Sequence, residues 1–160
     1  MRVEIATKKQ NRLILAFNLS AAEFGLDISC VREVLKPQKI HPLPNAPAFV
    51  EGVINLRGHI IAVMDLRKKF NIKALAENPR MRIIICRIKN FITGLIVDNV
   101  SEVISLSQDD ITPSPQIASI QSEDNYVSGI VNLNGRVITL LDSEKVLTKE
   151  DFGKFSEIRE

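Results

Sequence analysis

Residues 49–70 read FVEGVINLRGHIIAVMDLRKKF, and residues 126–147 read YVSGIVNLNGRVITLLDSEKVL. Aligned without a gap, the two segments are identical at 8 of 22 positions, and several of the other positions exchange one aliphatic residue for another. The identical pairs are Val50/Val127, Gly52/Gly129, Asn55/Asn132, Leu56/Leu133, Gly58/Gly135, Ile61/Ile138, Asp65/Asp142 and Lys68/Lys145. The chain is therefore built from two related halves.

The similarity between the halves extends upstream of these segments. The further matching pairs are Gly25/Gly94, Leu26/Leu95, Val31/Val100, Glu33/Glu102, Val34/Val103, Ile40/Ile111, Pro42/Pro113 and Pro44/Pro115. A half of about 70 residues would bury only about 60% of its unfolded surface, so we expect the halves to pack together in a single domain over residues 1–160. Within it we place a first barrel lobe at 12–75, a second at 80–147 and a C-terminal helix or tail at 148–160.

Composition and charge limit the possible partners. The chain is 45% hydrophobic and 25% charged, with a net charge of +2, which is too small to indicate nucleic acid or an anionic membrane as a partner. No apolar run approaches the roughly 18 residues of a membrane span, and the N-terminus lacks the apolar segment of a secretory signal.

Cys30 and Cys86 lie in apolar strings, either as two buried reduced thiols or as a disulfide or redox pair. These features indicate a cytoplasmic protein.

The apolar pattern is mainly that of β-strands. Short β-branched and aliphatic runs bounded by polar residues predict strands at 13–19, 24–28, 81–88 and 93–97. The segments that follow, SCVREVLK and DNVSEVIS, fit either a helical turn or a continuing strand. Prolines at 37, 42, 44, 47, 113 and 115 mark loops, and residues 71–80 are the expected linker. Each repeated segment predicts a hairpin, and the pattern as a whole predicts two small barrels.

The halves differ at the tip of this hairpin. Asn134-Gly135 suits a two-residue turn in which both residues have positive φ, whereas the first half has Arg57-Gly58. If the backbones match, Arg57 bears a cost of about 1 kcal/mol and is a candidate contact residue. If the turn is of type I or has three residues, Arg57 simply points to water. The first half also carries a basic run at 67–69, which is either a solvated face or a basic edge for an acidic partner.

The sequence gives no indication of catalysis or metal binding. No residues have the spacing of metal ligands. The two histidines are isolated from each other: His41 lies in the proline loop and His59 follows the turn glycine. Asp65 and Asp142 each end an apolar strand, where a carboxylate can cap the short helix that follows. The glycines flank hairpins and resemble no phosphate-binding loop. We therefore expect a binding module with no catalytic residues, no metal and no cofactor.

The segment VEGVINLRGHIIAVMDLRKKF closely resembles the central block of the CheW family of bacterial chemotaxis coupling proteins. FGLDISCVREVLK and IHPLPNAPAFV resemble the segments before that block, and GLIVDNVSEVISL and ITPSPQ those after it. The resemblance runs from about residue 13 to residue 147. It implies a mainly β fold of two SH3-like five-stranded β-barrels with short helices. It also implies a non-enzymatic adaptor that joins chemoreceptors to the histidine kinase CheA in signalling arrays.

The resemblance also implies two binding faces. A chemoreceptor's cytoplasmic hairpin tip is expected in an apolar groove between the barrels, near a contact between Glu33 and Arg57; the groove residues are Val31, Glu33, Val34, Arg57, Ile60 and Ile61. The regulatory domain of CheA is expected on the first barrel, at Phe49, Val50 and Gly52. The protein would be cytoplasmic, recruited to the inner face of the membrane through receptors without inserting into it. An adaptor of another kinase pathway, in surface motility or biofilm control, and a small-barrel nucleic-acid binder are the rival hypotheses.

Overall fold

A computed structural model describes residues 11–74, 76–113 and 126–147. The first half contains five strands: β1 (Arg12–Leu19), β2 (Ala22–Asp27), β3 (Val31–Leu35), β4 (Val50–Leu56) and β5 (His59–Asp65). The second half contains six: β6 (Arg82–Ile88), β7 (Phe91–Val97), β8 (Asn99–Leu106), β9 (Ile111–Pro113), β10 (Val127–Leu133) and β11 (Arg136–Leu141). Among the described residues, one short helix, α1 (Leu66–Lys69), follows β5, and three-residue 3₁₀ turns cover Ile28–Cys30, Gln108–Asp110 and Ser143–Lys145.

These elements confirm a mainly β protein and both predicted hairpins. The two segments that fitted either helix or strand are mostly strand: β3 follows the 3₁₀ turn that ends at Cys30, and β8 begins directly after Asp98. The described part of the linker at 71–80 contains neither helix nor strand. Pro115 and the expected tail at 148–160 lie outside the described residues. Among the described helices, none has the length and apolar character needed to cross a bilayer.

The strands form two sheets, and each sheet takes strands from both halves. The six-stranded sheet has the order β8-β1-β2-β11-β10-β9, and the five-stranded sheet has the order β3-β6-β7-β5-β4. The β1–β2 hairpin of the first half is therefore held between strands of the second half, and the β6–β7 hairpin of the second half is held between strands of the first.

This strand exchange means that the sheets do not divide along the ranges 12–75 and 80–147 expected for the two lobes. The connection from β7 to β8 shows the physical reason. Only Asp98 separates the two strands, whereas an antiparallel hairpin needs a loop of at least about two residues. The chain therefore passes directly into the other sheet, where β8 pairs with β1.

Three apolar clusters account for the core. One lies within the five-stranded sheet around Ile54, Val63 and Ile85, and another within the six-stranded sheet around Ile14 and Ile138. The largest cluster joins the two sheets and combines side chains of both halves; its fully buried members include Phe17, Leu19, Met64, Ile84, Cys86, Ile88, Leu95 and Val97. Strands such as β6 are buried on both faces, which explains their uninterrupted apolar sequence.

The two repeated aspartates cap short helical turns, as predicted. The Asp65 side chain accepts a hydrogen bond from the Arg67 N–H at 2.9 Å, at the start of α1. The Asp142 side chain accepts one from the Glu144 N–H at 2.9 Å, at the start of the 3₁₀ turn. The identity of these residues in both halves therefore has a structural cause.

Arg67 does not belong to a solvated or partner-binding basic face. Its side chain is only 8% exposed and pairs with Asp65 at 2.9 Å and Asp98 at 2.7 Å. Asp98 also accepts a hydrogen bond from the Ser20 N–H at 2.6 Å, in the β1–β2 turn. This cluster of Arg67, Asp65, Asp98 and Ser20, the buried ion-pair network, connects the ends of strands from both sheets. Lys68, in contrast, is exposed and pairs with Glu51.

The proline loop between β3 and β4 is attached to the edge of the five-stranded sheet at a single bridge. His41 and Val53 exchange both backbone hydrogen bonds, at 2.8 and 2.9 Å. Gly52 lies beside this bridge with φ 146°, and a Cβ atom there would stand 2.1 Å from the His41 carbonyl oxygen. The repeated glycine is therefore required by the close approach of the loop.

Candidate functional site

Of the two turn types considered for the β4–β5 turn, the structure has the one in which Arg57 adopts a positive φ at a cost in stability. Arg57 has φ 50° and Gly58 has φ 87°, and their counterparts Asn134 and Gly135 have φ 53° and 90°. Asn55 accepts a hydrogen bond from the Gly58 N–H at 2.9 Å, and the same bond recurs at 3.0 Å in the second half. Both turns therefore have positive φ at both central residues, and a side-chain amide stabilises each of them.

Arg57 pairs with Glu33, which reaches the turn from β3. The guanidinium Nη2 contacts Glu33 Oε2, and the two side chains are 68% and 32% exposed. An ion pair so open to water contributes at most about 1 kcal/mol to stability. The pair therefore fixes the position of two charges on the surface and adds little to the stability of the fold.

An open apolar groove lies beside this pair. It has a volume of about 330 Å³ and is bounded by β3, the β4–β5 hairpin and the β6–β7 hairpin. Ile61 and Ile85 are buried at its base, whereas Ile60 is 66% exposed. The lining residues are Arg32, Glu33, Leu56, Arg57, His59, Ile60, Ile61, Ala62, Ile85, Phe91 and Ile92. An exposed isoleucine next to a concave apolar surface is typical of a site that receives another apolar side chain.

Four of the six predicted groove residues line this groove, which lies on the five-stranded sheet and not between the sheets. Glu33, Arg57, Ile60 and Ile61 lie together, but Val31 and Val34 do not line it. Val31 packs against the core between the sheets, and Val34 lines a separate depression with Arg82 and Val100. Alternation along β3, with an irregular register between Val31 and Glu33, turns these side chains to different sides.

Sequence reasoning missed the wall formed by Ile85, Phe91 and Ile92. These residues belong to β6 and β7 of the second half, and the strand exchange places them beside β5 and β3. Comparing the two halves does not reveal that β6 and β7 lie beside β3 and β5, because strands that pair across a long sequence separation leave no local pattern. Leu56, His59 and Ala62 were within reach of sequence reasoning, since they immediately flank the predicted residues.

The three residues predicted on the kinase-facing side do not form one exposed patch. Phe49 is half-buried, and the Lys69 ammonium lies 4.8 Å from the centre of its ring. Val50 is only 8% exposed and belongs to the core between the sheets. Gly52 is buried against the His41 carbonyl. Of the three, Phe49 alone exposes side-chain surface to a partner. Val50 and Gly52 are buried and support β4 at the edge of the five-stranded sheet.

The equivalent place on the six-stranded sheet is occupied by charged side chains. Alignment of the halves puts Arg136 at the position of His59, and Glu23 at that of Ile92. Arg136 bonds to Glu23 at 2.5 and 2.8 Å and to Glu102, the counterpart of Glu33, at 2.7 Å. The hydrogen bond from Arg136 lowers the pKa of the Glu23 carboxyl, although burial opposes the shift.

The duplicated fold is therefore asymmetric in surface chemistry. In each sheet the repeated glutamate pairs with an arginine. On the five-stranded sheet that pair borders a groove, whereas on the six-stranded sheet Arg136 also binds Glu23. Within residues 11–74, 76–113 and 126–147, no group of histidine, cysteine, aspartate or glutamate residues could hold a metal ion. The open groove is the candidate functional site.

Fold and groove together define a class of protein: a duplicated, two-sheet β protein with an open groove of apolar and charged side chains beside an ion pair. The CheW-like domain family matches residues 13–151 of this chain. The chemotaxis protein CheW of Rhizobium meliloti (strain 1021) is 36% identical over 140 residues, which are 88% of this chain and 90% of that protein. The chain therefore belongs to the CheW-like domain family.

Comparison with solved structures agrees with this assignment. The crystal structure of the scaffolding protein TtCheW from Thermoanaerobacter tengcongensis superposes with a TM-score of 0.78 and 36% sequence identity, covering 88% of this chain and 94% of that one. This match confirms the predicted fold class of two small SH3-like β-barrels. A more distant relative, the protein FrzA of Myxococcus xanthus, is 26% identical over 148 residues, which are 91% of each chain.

Proposed function

We propose that this protein is a non-enzymatic adaptor that couples chemoreceptors to the histidine kinase CheA in chemotaxis signalling. Membership of the CheW-like family supports the role, because its relatives include proteins named for chemotaxis and for scaffolding. The observation that carries the proposal is the asymmetry of the grooves. The five-stranded sheet has a groove beside the Arg57–Glu33 pair, and at the equivalent place on the six-stranded sheet Arg136 binds both Glu23 and Glu102.

In this proposal the groove receives the helical tip of a receptor hairpin. Ile60 and Ile61 supply apolar surface, and Glu33 and Arg57 orient the helix through their opposite charges. This is the helix-in-groove mode, in which a few apolar anchors carry the affinity and charged neighbours fix the register. Phe49 marks the side expected to meet the regulatory domain of the kinase, at the edge formed by β4. The protein acts in the cytoplasm and reaches the inner face of the membrane through its receptors.

Two separate binding faces explain how such an adaptor controls a kinase without chemistry of its own. Holding receptor and kinase in a fixed relation couples their conformations, and such coupling is typically worth about 1–3 kcal/mol. No metal, cofactor or catalytic residue has a part in this mechanism.

The experiment is a pull-down from source cells with the purified protein immobilised, using soluble lysate and detergent-solubilised membranes. We expect recovery of a histidine kinase together with a coiled-coil receptor from the wild-type protein. Arg57→Glu is expected to lose the receptor and keep the kinase. Recovery of neither partner, or of nucleic acid instead, contradicts the proposal.

A second candidate is an adaptor of the same fold in another kinase pathway, such as surface motility or biofilm control. Similarity to FrzA shows that relatives of this chain are not all named for chemotaxis. The same pull-down separates the two candidates, because the identity of the captured kinase and receptor names the pathway.

A further inference from the structure

The two cysteines meet at the junction of the halves. Cys30 ends the 3₁₀ turn between β2 and β3, and Cys86 lies on β6 of the second half. Val31, which directly follows Cys30, is the cross-strand partner of Cys86. Both side chains pack in the core cluster between the sheets, and both thiols are free. The function proposed above makes no use of this pair.

The two thiols differ in their access to solvent. Cys86 is fully buried, with 0% of its surface exposed. Cys30 is partly exposed and lines a wide depression of about 770 Å³, together with Ser143 and the basic residues Arg87 and Lys89. A small solute can therefore reach Cys30 directly, whereas Cys86 has no exposed surface.

Hydrogen bonding also distinguishes the two thiols. A hydrogen bond from Cys86, supported by one from the Ser143 hydroxyl, lowers the pKa of Cys30, although burial and the charge of Asp27 act in the opposite direction. The same contact with Cys30, together with burial, raises the pKa of Cys86. Since the thiolate is the reactive form, the accessible cysteine is also the more nucleophilic one.

We propose that Cys30 and Cys86 form a peroxide-sensitive pair, in which Cys30 is oxidised first and Cys86 converts it to an intramolecular disulfide. The Cys30 thiolate attacks one oxygen of hydrogen peroxide, the O–O bond breaks and hydroxide leaves. Sulfur is oxidised by two electrons to a sulfenic acid, and the peroxide is reduced. The Cys86 sulfur then attacks the Cys30 sulfur, the S–S bond forms, the S–O bond breaks, and the departing hydroxide takes the Cys86 proton to give water.

The test treats the full chain with hydrogen peroxide, blocks the remaining thiols with N-ethylmaleimide in denaturant, and maps the peptides by mass spectrometry. We expect both thiols to disappear together and a peptide joining Cys30 to Cys86 to appear in the monomeric protein. Cys86→Ala is expected to retain a Cys30 sulfenic acid that dimedone labels. Cys30→Ser is expected to leave Cys86 unoxidised under the same treatment.

A measurement on the native wild-type protein provides a check that needs no variant. Iodoacetamide is expected to alkylate Cys30 at least about tenfold faster than Cys86, because one thiol is accessible and ionises more readily. Equal alkylation rates, two intact thiols after peroxide, or a disulfide between Cys30 residues of two molecules would each overturn the proposal. None of these outcomes bears on receptor or kinase binding, so the proposed adaptor function is tested independently.

Discussion

At the scale of single residues, Arg57 carries our prediction that part of this surface serves for binding. Its positive φ costs about 1 kcal/mol relative to the asparagine at the equivalent position of the second half. Its ion pair with Glu33 returns at most about 1 kcal/mol, because both side chains are open to water. Stability therefore gives no reason to prefer arginine here, whereas contact with a partner does.

We predict that Arg57→Asn folds as well as the wild type, or up to about 1 kcal/mol better, and binds the receptor helix at least about tenfold more weakly. Asparagine keeps the turn geometry and removes only the charge and the length of the side chain. Asn134→Arg is the matched control, since it adds the same backbone cost on the other sheet and should leave binding unchanged. Titration calorimetry with a receptor-tip peptide and urea unfolding measure the two effects. Unchanged binding by Arg57→Asn would remove Arg57 from the site.

The buried ion-pair network leads to a prediction about stability. Asp98→Ala leaves Arg67 with half of its partners and the Ser20 N–H without its carboxylate, inside the protein. We expect a loss of about 1–3 kcal/mol in the free energy of unfolding, because Arg67 keeps Asp65 as its counter-charge but its Nη1 and the Ser20 N–H lose their hydrogen-bond acceptor. Lys68→Ala breaks the exposed pair with Glu51 and should cost less than about 1 kcal/mol. Equal midpoints for the two variants in urea unfolding would contradict this account.

At the scale of elements, β4 and the proline loop depend on one glycine. Gly52→Ala would place a methyl group against the His41 carbonyl, at a φ that side chains rarely adopt. We predict a loss of about 3 kcal/mol or more, with the loop released from β4. Gly58→Ala is the control: its φ is also positive, but nothing lies within 4 Å of the added atom, so the expected cost is about 1 kcal/mol.

Thermal and urea unfolding measure both glycine variants, and hydrogen exchange at the Val53 amide reports the loop contact directly. Faster exchange in Gly52→Ala, with little change in Gly58→Ala, is the expected pattern. A similar loss of stability in the two variants would show that backbone conformation, and not the close approach of the loop, is the reason for the glycine at position 52.

The elements that were predictable from the sequence are those determined by neighbours in the chain. The two hairpins and the caps at Asp65 and Asp142 follow from local chemistry that the repeat makes visible. The positive φ at Arg57 was one of two alternatives that the sequence left open. Arg67 was misread because a run of basic residues usually points to water, and its partner Asp98 is distant in sequence. The groove wall at Ile85, Phe91 and Ile92 was missed for the same reason, since strand pairing across the halves has no local signature.

At the scale of the whole molecule, the strand exchange makes the two halves interdependent. Each sheet would lose two or more of its strands if one half were removed, and the core between the sheets draws on both. We predict that fragments 1–78 and 79–160, prepared separately, show no cooperative unfolding transition. Mixed together, they should recover the strand signal in circular dichroism and bind the receptor helix. A cooperative transition in either fragment alone would show that a half is an independent lobe after all.

The same exchange has a consequence for synthesis on the ribosome. Strand β2 pairs with β11, which ends at Leu141, so the six-stranded sheet stays incomplete until residue 141 has been translated. Until β8 has been made, β1 can pair with β2 but lacks its partner on the other side, and contacts so distant in sequence form slowly. The first half therefore cannot finish folding before the second half has been synthesised. The protein's yield in the cell therefore depends on protection of the unfinished polypeptide.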